Sequence, residues 1–180
     1  MQKVAIVTGG AKGIGYGSVL RLLEDGAHVT AFDRDTTALS QAEKDFGPFA
    51  KNFSAVNVDI SSDSAVSAAI KVVGDRFGYI NYLVNSAGIQ TYGTAEDTSE
   101  EIWDSTFAVN VKAMYLTAKY AIPFMRAAKG GSIVNISSVQ SLSNQKNVLA
   151  YAASKGAVNA LTRSIAIDYA AEQIRCNAVL

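Results

Sequence analysis

The 180-residue sequence contains one cysteine, Cys176, so no disulfide can form within the chain. That suits a reducing compartment, and a cytoplasmic location is the expectation. Cys176 sits in the apolar run IRCNAVL, where a buried core thiol is expected rather than a nucleophile. The only histidine, His28, begins an apolar run far from the polar motifs. It reads as structural, which excludes Ser–His–Asp machinery. Without a Cys/His cluster no metal site is expected. No window approaches the roughly 18 apolar residues of a membrane span. The apolar run near Met1 ends at Thr8–Gly10, too short for the core of a signal peptide. Neither sign of charge is in excess: 16 Lys and Arg balance 16 Asp and Glu. The electrostatic case for nucleic acid or a membrane surface as partner is therefore absent.

What the chain does contain is an alternation. About half of it is apolar, and its length suffices for one domain with a sizeable core. Short β-rich runs at 4–7, 28–32, 53–58, 82–84, 132–136 and 174–179 are separated by helical patterns near 14–25, 36–45, 62–77, 100–128 and 151–172. Strand then helix, repeated, means βαβ units and a parallel sheet with helices on both sides: an α/β, doubly wound, three-layer fold of the Rossmann type. The runs are continuous rather than alternating, so the strands are expected to be buried on both faces. Pro123 falls within 100–128 and is expected to kink that helix. In the last helix Ala153, Ala157, Ala160, Leu161 and Ile165 form one broad surface, which Val158, Ile167 and Tyr169 extend. One face of it packs on the sheet; the rest meets either its own chain or a second subunit.

After the first run comes TGGAKGIG, Thr8 to Gly15, leading directly into a helix. A phosphate needs main-chain N–H groups at close range and the positive end of a helix. Side chains would block that approach, so Gly9, Gly13 and Gly15 mark a dinucleotide loop. Asp33 follows 20 residues after Gly13, at the end of the second strand. A carboxylate there accepts from the adenosine ribose hydroxyls and repels a 2′-phosphate, which favours NAD over NADP. Lys12 and Arg34 pull the other way, since either cation can meet a phosphate. Read as nothing more than a strand-end acid, Asp33 would simply be solvated. Asp59, in NVDI, either meets the adenine amino group or caps the helix that follows. Ile14 and Ile60 adjoin these positions and complete the candidate nucleotide-binding set.

Two features carry chemistry. Tyr151 and Lys155, in YAASK, are one helical turn apart on one face. An ammonium there is expected to favour the phenolate, so that the tyrosine can exchange a proton with an alcohol. Ser138, in ISS, ends the fifth strand, where a hydroxyl can hold a substrate oxygen. Together TGGAKGIG, NSAG (85–88), Asn110 in FAVNV, ISS and YAASK resemble the short-chain dehydrogenase/reductase family, in its order and spacing across nearly the whole chain. The resemblance implies strand order 3-2-1-4-5-6-7 and a nicotinamide cofactor. It implies Tyr151 as acid/base, Lys155 as its modulator and ribose ligand, and Ser138, rather than Ser137, as the substrate-orienting hydroxyl. It implies Asn110 as holder of a proton-relay water, and Asn85, Ala87 and Gly88 as the cofactor floor. Ser86 stands where the family usually has a second asparagine.

The expected function is hydride transfer between NAD(P) and a secondary alcohol or ketone. Gln90, Thr91, Tyr92, Gln140, Ser141, Leu142, Asn144, Gln145 and Asn147 are candidate pocket residues, mostly polar. They favour a small-molecule substrate such as a sugar, polyol or hydroxy acid. The rival reading of the same residues is ordinary surface loop. A non-catalytic dinucleotide-binding regulatory module is the alternative function. An epimerase of the extended type is disfavoured by the TGxxxGxG spacing. The whole of 1–180 reads as one dinucleotide-binding and catalytic domain. The family's threonine ligand, substrate lid and seventh strand are not among its motifs, and a homodimer or homotetramer is the expected assembly.

Overall fold

The computed structural model describes residues 2–180. Its six strands are β1 (Val4–Thr8), β2 (His28–Asp33), β3 (Phe53–Asn57), β4 (Tyr82–Asn85), β5 (Gly131–Ile136) and β6 (Ile174–Val179). All pair in parallel, in the order β3-β2-β1-β4-β5-β6. The chain reverses its direction of propagation between β1 and β4, and the carboxyl ends of those two strands flank the resulting crevice.

The helices are α1 (Gly13–Glu24), α2 (Thr36–Asp45), α3 (Asp63–Phe77), α4 (Glu100–Phe107), α5 (Ala113–Ala127) and α6 (Leu149–Asp168). Side-chain caps start three of them: Asp35 accepts from the Ala38 N–H, Ser62 from Ala65 and Ser99 from Ile102. Each oxygen satisfies a donor that the first helical turn leaves free. Two apolar clusters sandwich the sheet. One joins Ala5, Val7, Val29 and Ala31 to α1 and α2 through Val19, Leu23 and Leu39. The other joins Ile6, Leu83 and Ile133 to α3, α5 and α6 through Ile70, Leu116 and Ile165.

Three expectations need correction. Only β1 and β2 are buried on essentially both faces. Along β4, β5 and β6 burial alternates. Tyr82, Val84, Ser132, Val134, Arg175 and Asn177 lie on the half-open side, because α1 and α2 reach only as far as β1–β4 there. The span 100–128 is not one helix kinked at Pro123. It divides into α4, a π-helical segment at Ala108–Lys112, and α5, which runs through Pro123 to Ala127. The part of α6 that packs on the sheet is narrower than the whole expected surface. It runs through Lys155, Val158, Thr162 and Ile165, while Ala153 and Ala160 are exposed. The helix itself stops at Asp168, and a short 3-10 turn carries the chain to Glu172.

His28 is structural, as its place in the sequence implies. The residue is 2% exposed, and its ring packs 4.5 Å from the Phe77 ring, with Nε2 3.3 Å from Ser54 Oγ. Burial first, and the Arg76 cation second, lower its pKa below 6.5. The unfolded chain therefore takes up the proton first as the pH falls, and stability is lost below about pH 6.5 with a limiting slope of about 1.4 kcal/mol per pH unit. Urea unfolding of His28→Gln should lack that component between about pH 7.5 and about pH 5. A variant profile parallel to that of the wild type would remove His28 from the pH response.

Candidate active site

The glycine loop begins where β1 ends. Gly9 and Gly13 have φ of 64° and 54°, conformations that L side chains avoid. A Cβ on Gly9 would lie 2.9 Å from main-chain atoms of Ala87, so this glycine lets the β1 and β4 exits approach each other. Space beside Gly13 is open, which is what a phosphate requires. No side chain caps α1: Lys12 stands at the cap position without a capping bond. The first-turn N–H groups of α1 thus face the crevice unmasked.

One cleft, of about 330 Å³, brings together Gly9, Lys12, Gly13 and Ile14 from the loop, Asp33 and Arg34 from the end of β2, Asp59 and Ile60 after β3, and Ala87 and Gly88 after β4. Asp33 is fixed from behind: Oδ2 accepts from the Ala11 N–H at 3.2 Å and Oδ1 from the Asp35 N–H at 3.1 Å. Lone pairs remain on both oxygens for ribose hydroxyls. The Lys12 ammonium is held by Asp35 at 2.5 Å, which raises the lysine pKa and lowers that of the carboxyl. The contact is exposed, so its energy is small, but it pairs the Lys12 cation with a carboxylate. Asp59 does not cap α3; Ser62 does. Its carboxylate accepts from the Ser61 hydroxyl at 2.7 Å and N–H at 2.9 Å, which lowers its pKa.

A second cleft contains Ser138, Tyr151 and Lys155, and shares Ile14, Ser86, Gly88 and Ile89 with the first. The two form one groove over the carboxyl ends of the strands. Lys155 is 4% exposed, and its Nζ donates to the Ile136 carbonyl at 2.7 Å. Burial lowers its pKa to about 8. The ammonium lies 5.5 Å from the Tyr151 ring centroid, so the one-turn spacing does place the two groups together. Ser138 Oγ accepts from the Gln140 N–H at 3.2 Å and keeps its own hydrogen for another partner. Ser137 Oγ is buried and donates to Asn159 Oδ1 at 2.7 Å, so the choice of Ser138 over Ser137 has a geometric basis.

Asn110 lies in the π-helical segment and is fully buried. Its Oδ1 accepts from the Ile89 N–H at 2.8 Å, while Nδ2 donates to the Ile89 carbonyl at 2.9 Å and to Ser154 Oγ at 3.0 Å. Both of its N–H hydrogens are committed to protein, so a water would have to meet an oxygen of this residue. Of the predicted cofactor-binding residues, the loop glycine Gly15 and the floor residue Asn85 do not line the groove. Gly15 packs beneath the loop, and Asn85 is buried below it. Asn159 escaped the sequence reading. It ties Ser137 and Ser141 to α6, and its signal was its place one turn after Lys155 on the same face. Thr8 also escaped; its Oγ1 accepts from the Ala87 N–H at 3.2 Å and joins the two strand exits.

A family model described as short chain dehydrogenase matches residues 3–180. The chain belongs to the short-chain dehydrogenase/reductase family. It is 40% identical over 183 residues to 2-(R)-hydroxypropyl-CoM dehydrogenase of Xanthobacter autotrophicus, covering 99% of this chain and 73% of the relative. Trans-4-hydroxycyclohexanecarboxylate dehydrogenase of Sinomonas cyclohexanicum is 36% identical over 184 residues, with 99% and 71% covered. Among solved structures, NAD+-bound xylitol dehydrogenase superposes with a TM-score of 0.93 at 32% identity, over 98% of this chain and 68% of that one. ElxO with NADP bound gives 0.93 at 31% identity, over 99% and 72%. Within this short-chain dehydrogenase, no helix among the described residues is long and apolar enough to cross a membrane. No group of metal-ligating side chains occurs among them either.

Proposed function

We propose that this short-chain dehydrogenase oxidises a small secondary alcohol, or reduces the matching ketone, with NAD preferred over NADP. The observation that carries the proposal is the Lys155 ammonium 5.5 Å from the Tyr151 ring, in a groove continuous with the glycine loop. A binding module has no use for that pair. Hydride transfer between NAD(P) and an alcohol or ketone also accords with the alcohol and hydroxy-acid dehydrogenases among the relatives.

The residues fit a dinucleotide. The free N–H groups of α1 and the open space at Gly13 suit a pyrophosphate, and Asp33 suits an adenosine ribose. A nicotinamide ring bound towards Gly88 and Lys155 supplies the hydride acceptor. The protein supplies position and proton management. Ser138 donates to the substrate oxygen. The Tyr151 phenolate takes the alcohol proton, and the Lys155 ammonium stabilises that phenolate. In the reverse direction Tyr151 returns the proton to the ketone oxygen.

The NAD preference rests on Asp33, whose charge opposes a 2′-phosphate, and on Asp35, which occupies Lys12. Arg34 stands beside them as the remaining cation. Asp33→Ala should raise the KM for NAD about tenfold and move the NAD/NADP ratio of kcat/KM towards NADP by about 100-fold. Both are read from initial rates of reduced-nicotinamide formation with a panel of polyols, sugars, hydroxy acids and cyclic alcohols. An unchanged ratio would reassign Asp33 to a structural role, and no turnover of any secondary alcohol would end the dehydrogenase reading. A polar substrate is supported by Gln140, Ser141, Asn144, Gln145 and Asn147, which line a depression beside Ala152. Residues 1–180 serve as one domain for both binding and catalysis. Association into a dimer or tetramer is supported by exposed Trp103, Tyr115 and Ile167 on α4, α5 and α6.

A further inference from the structure

Beneath the groove, four buried polar side chains cross the sheet from one helix to another. Thr117 of α5 donates from Oγ1 to Asn85 Oδ1 at 2.8 Å, with the Met114 carbonyl at 3.0 Å as the competing acceptor. Asn85 of β4 donates from Nδ2 to Asn135 Oδ1 at 2.9 Å. Asn135 of β5 donates from Nδ2 to Thr162 Oγ1 of α6 at 2.9 Å, with Cys176 Sγ at 3.6 Å as a weaker second acceptor. Exposures are 0% for Thr117 and Asn135, 2% for Asn85 and 5% for Thr162. Nothing in hydride transfer calls for these groups, and aliphatic side chains would fill the same places.

The chain of bonds has a fixed direction. Thr162 has one hydroxyl hydrogen, and it goes to the Val158 carbonyl at 2.8 Å. Thr162 can therefore only accept from Asn135. That sets the Asn135 amide, which sets the Asn85 amide, which leaves Asn85 Oδ1 open to a donor from Thr117. Every bond depends on the orientation of the one before it, and such chains strengthen cooperatively in a dry interior.

The two ends have a common relation to the site. Thr117 is seven residues after Asn110; Thr162 is seven residues, two helical turns, after Lys155. Asn85 immediately precedes the Ser86–Gly88 floor, and Asn135 immediately precedes Ile136, whose carbonyl holds the Lys155 ammonium. We propose that Asn135 is a positioning residue, the central link of a Thr117–Asn85–Asn135–Thr162 relay that sets the register of α5 and α6 on the sheet and so places Asn110 and Lys155 relative to one another. This rests on the dehydrogenase reading for its catalytic consequence, but not for the mechanical coupling.

The first test needs no turnover. Thr117 and Thr162 lie on different helices and share no hydrogen bond. In urea unfolding of Thr117→Val, Thr162→Val and the double variant, the double variant's loss in the folding constant should fall short of the product of the single losses by about fivefold or more. Additivity within about twofold means the helices are not coupled, and overturns the proposal. The second test substitutes Asn135. Asn135→Leu should lower kcat about tenfold or more while the dinucleotide KM stays within about threefold, because the helices shift and the glycine loop does not. In Asn135→Asp burial raises the carboxyl pKa, and once protonated its C=O and O–H replace the amide acceptor and donor, whereas the ionised form cannot donate to Thr162. Its folding stability and its ketone-reduction kcat, each taken relative to wild type, should rise as the pH falls. Those of Asn135→Leu should not. Wild-type kcat in Asn135→Leu, or a pH-independent ratio in Asn135→Asp, overturns the positioning role. A wild-type protein that turns over no secondary alcohol sinks the functional reading alone, since the unfolding cycle and the pH-dependent stability of Asn135→Asp still decide the relay.

Discussion

Tyr151→Phe should lose about 10³-fold in kcat while its Kd for NAD stays within about threefold. The substitution removes one oxygen and keeps the ring, which is half-buried and faces the Lys155 ammonium at 5.5 Å. Packing on α6 and the cation–π contact are therefore retained, so neither folding nor the glycine loop should respond. What disappears is the hydroxyl that the proposed mechanism uses to exchange a proton with the alcohol. Ser138 has no base to activate it. Lys155 is committed to the Ile136 carbonyl as a donor, and although burial brings its pKa to about 8, as an ammonium it cannot accept a proton. The residual rate is that of hydride transfer with water as the base. Initial rates give kcat, and calorimetric titration with NAD gives Kd. Wild-type turnover in Tyr151→Phe would remove the phenol from the reaction. A parallel collapse of NAD binding would show instead that the substitution disturbed the groove.

The elements that sequence reasoning located best are those whose signal is local. The glycine loop, YAASK and ISS each join a strand exit or one helical turn to a chemistry, and in the structure Gly13 lines one cleft while Ser138, Tyr151 and Lys155 line the adjoining one. Burial of the sheet was harder. An unbroken apolar run such as Tyr82–Val84 looks the same whether one face or two are covered, and coverage depends on how far α1 and α2 extend across the sheet, whereas in Ile174–Val179 the polar Arg175 and Asn177 already mark the open face. The π-helical segment was hidden for a different reason. FAVNVKAM has ordinary helical periodicity, and only the tertiary bonds of Asn110 to Ile89 and Ser154 reveal why α geometry is interrupted there. Such interruptions recur at functional sites because they turn a side chain that the regular helix would aim elsewhere. The same limit applies to Asn135 and Thr162. Each reads as an isolated polar residue in an apolar stretch, and the bond between them spans 27 positions.

The glycines at 15 and 17 supply an internal contrast, because the same substitution two residues apart should act with opposite sign. Gly17 lies in the exposed interior of α1, and a Cβ there meets nothing within 4 Å. Gly17→Ala should raise stability by up to about 1 kcal/mol, since alanine loses less conformational entropy on entering a helix. Gly15 is buried, and a Cβ on it would lie 2.0 Å from the Gly9 carbonyl oxygen and 2.7 Å from its carbon. Those are main-chain atoms of the loop, so no side-chain rotation relieves the clash. Either α1 must retreat from the loop or the Gly9 peptide must rotate, and each course displaces the N–H groups that suit a pyrophosphate. Gly15→Ala should cost about 2–3 kcal/mol of stability, a Tm lower by about 4–12 °C, and weaken NAD binding about 100-fold. Thermal unfolding and calorimetric titration of the two variants side by side check both signs. If Gly15→Ala binds NAD as tightly as Gly17→Ala does, the close packing of α1 against Gly9 is not what holds the phosphate-binding loop in shape.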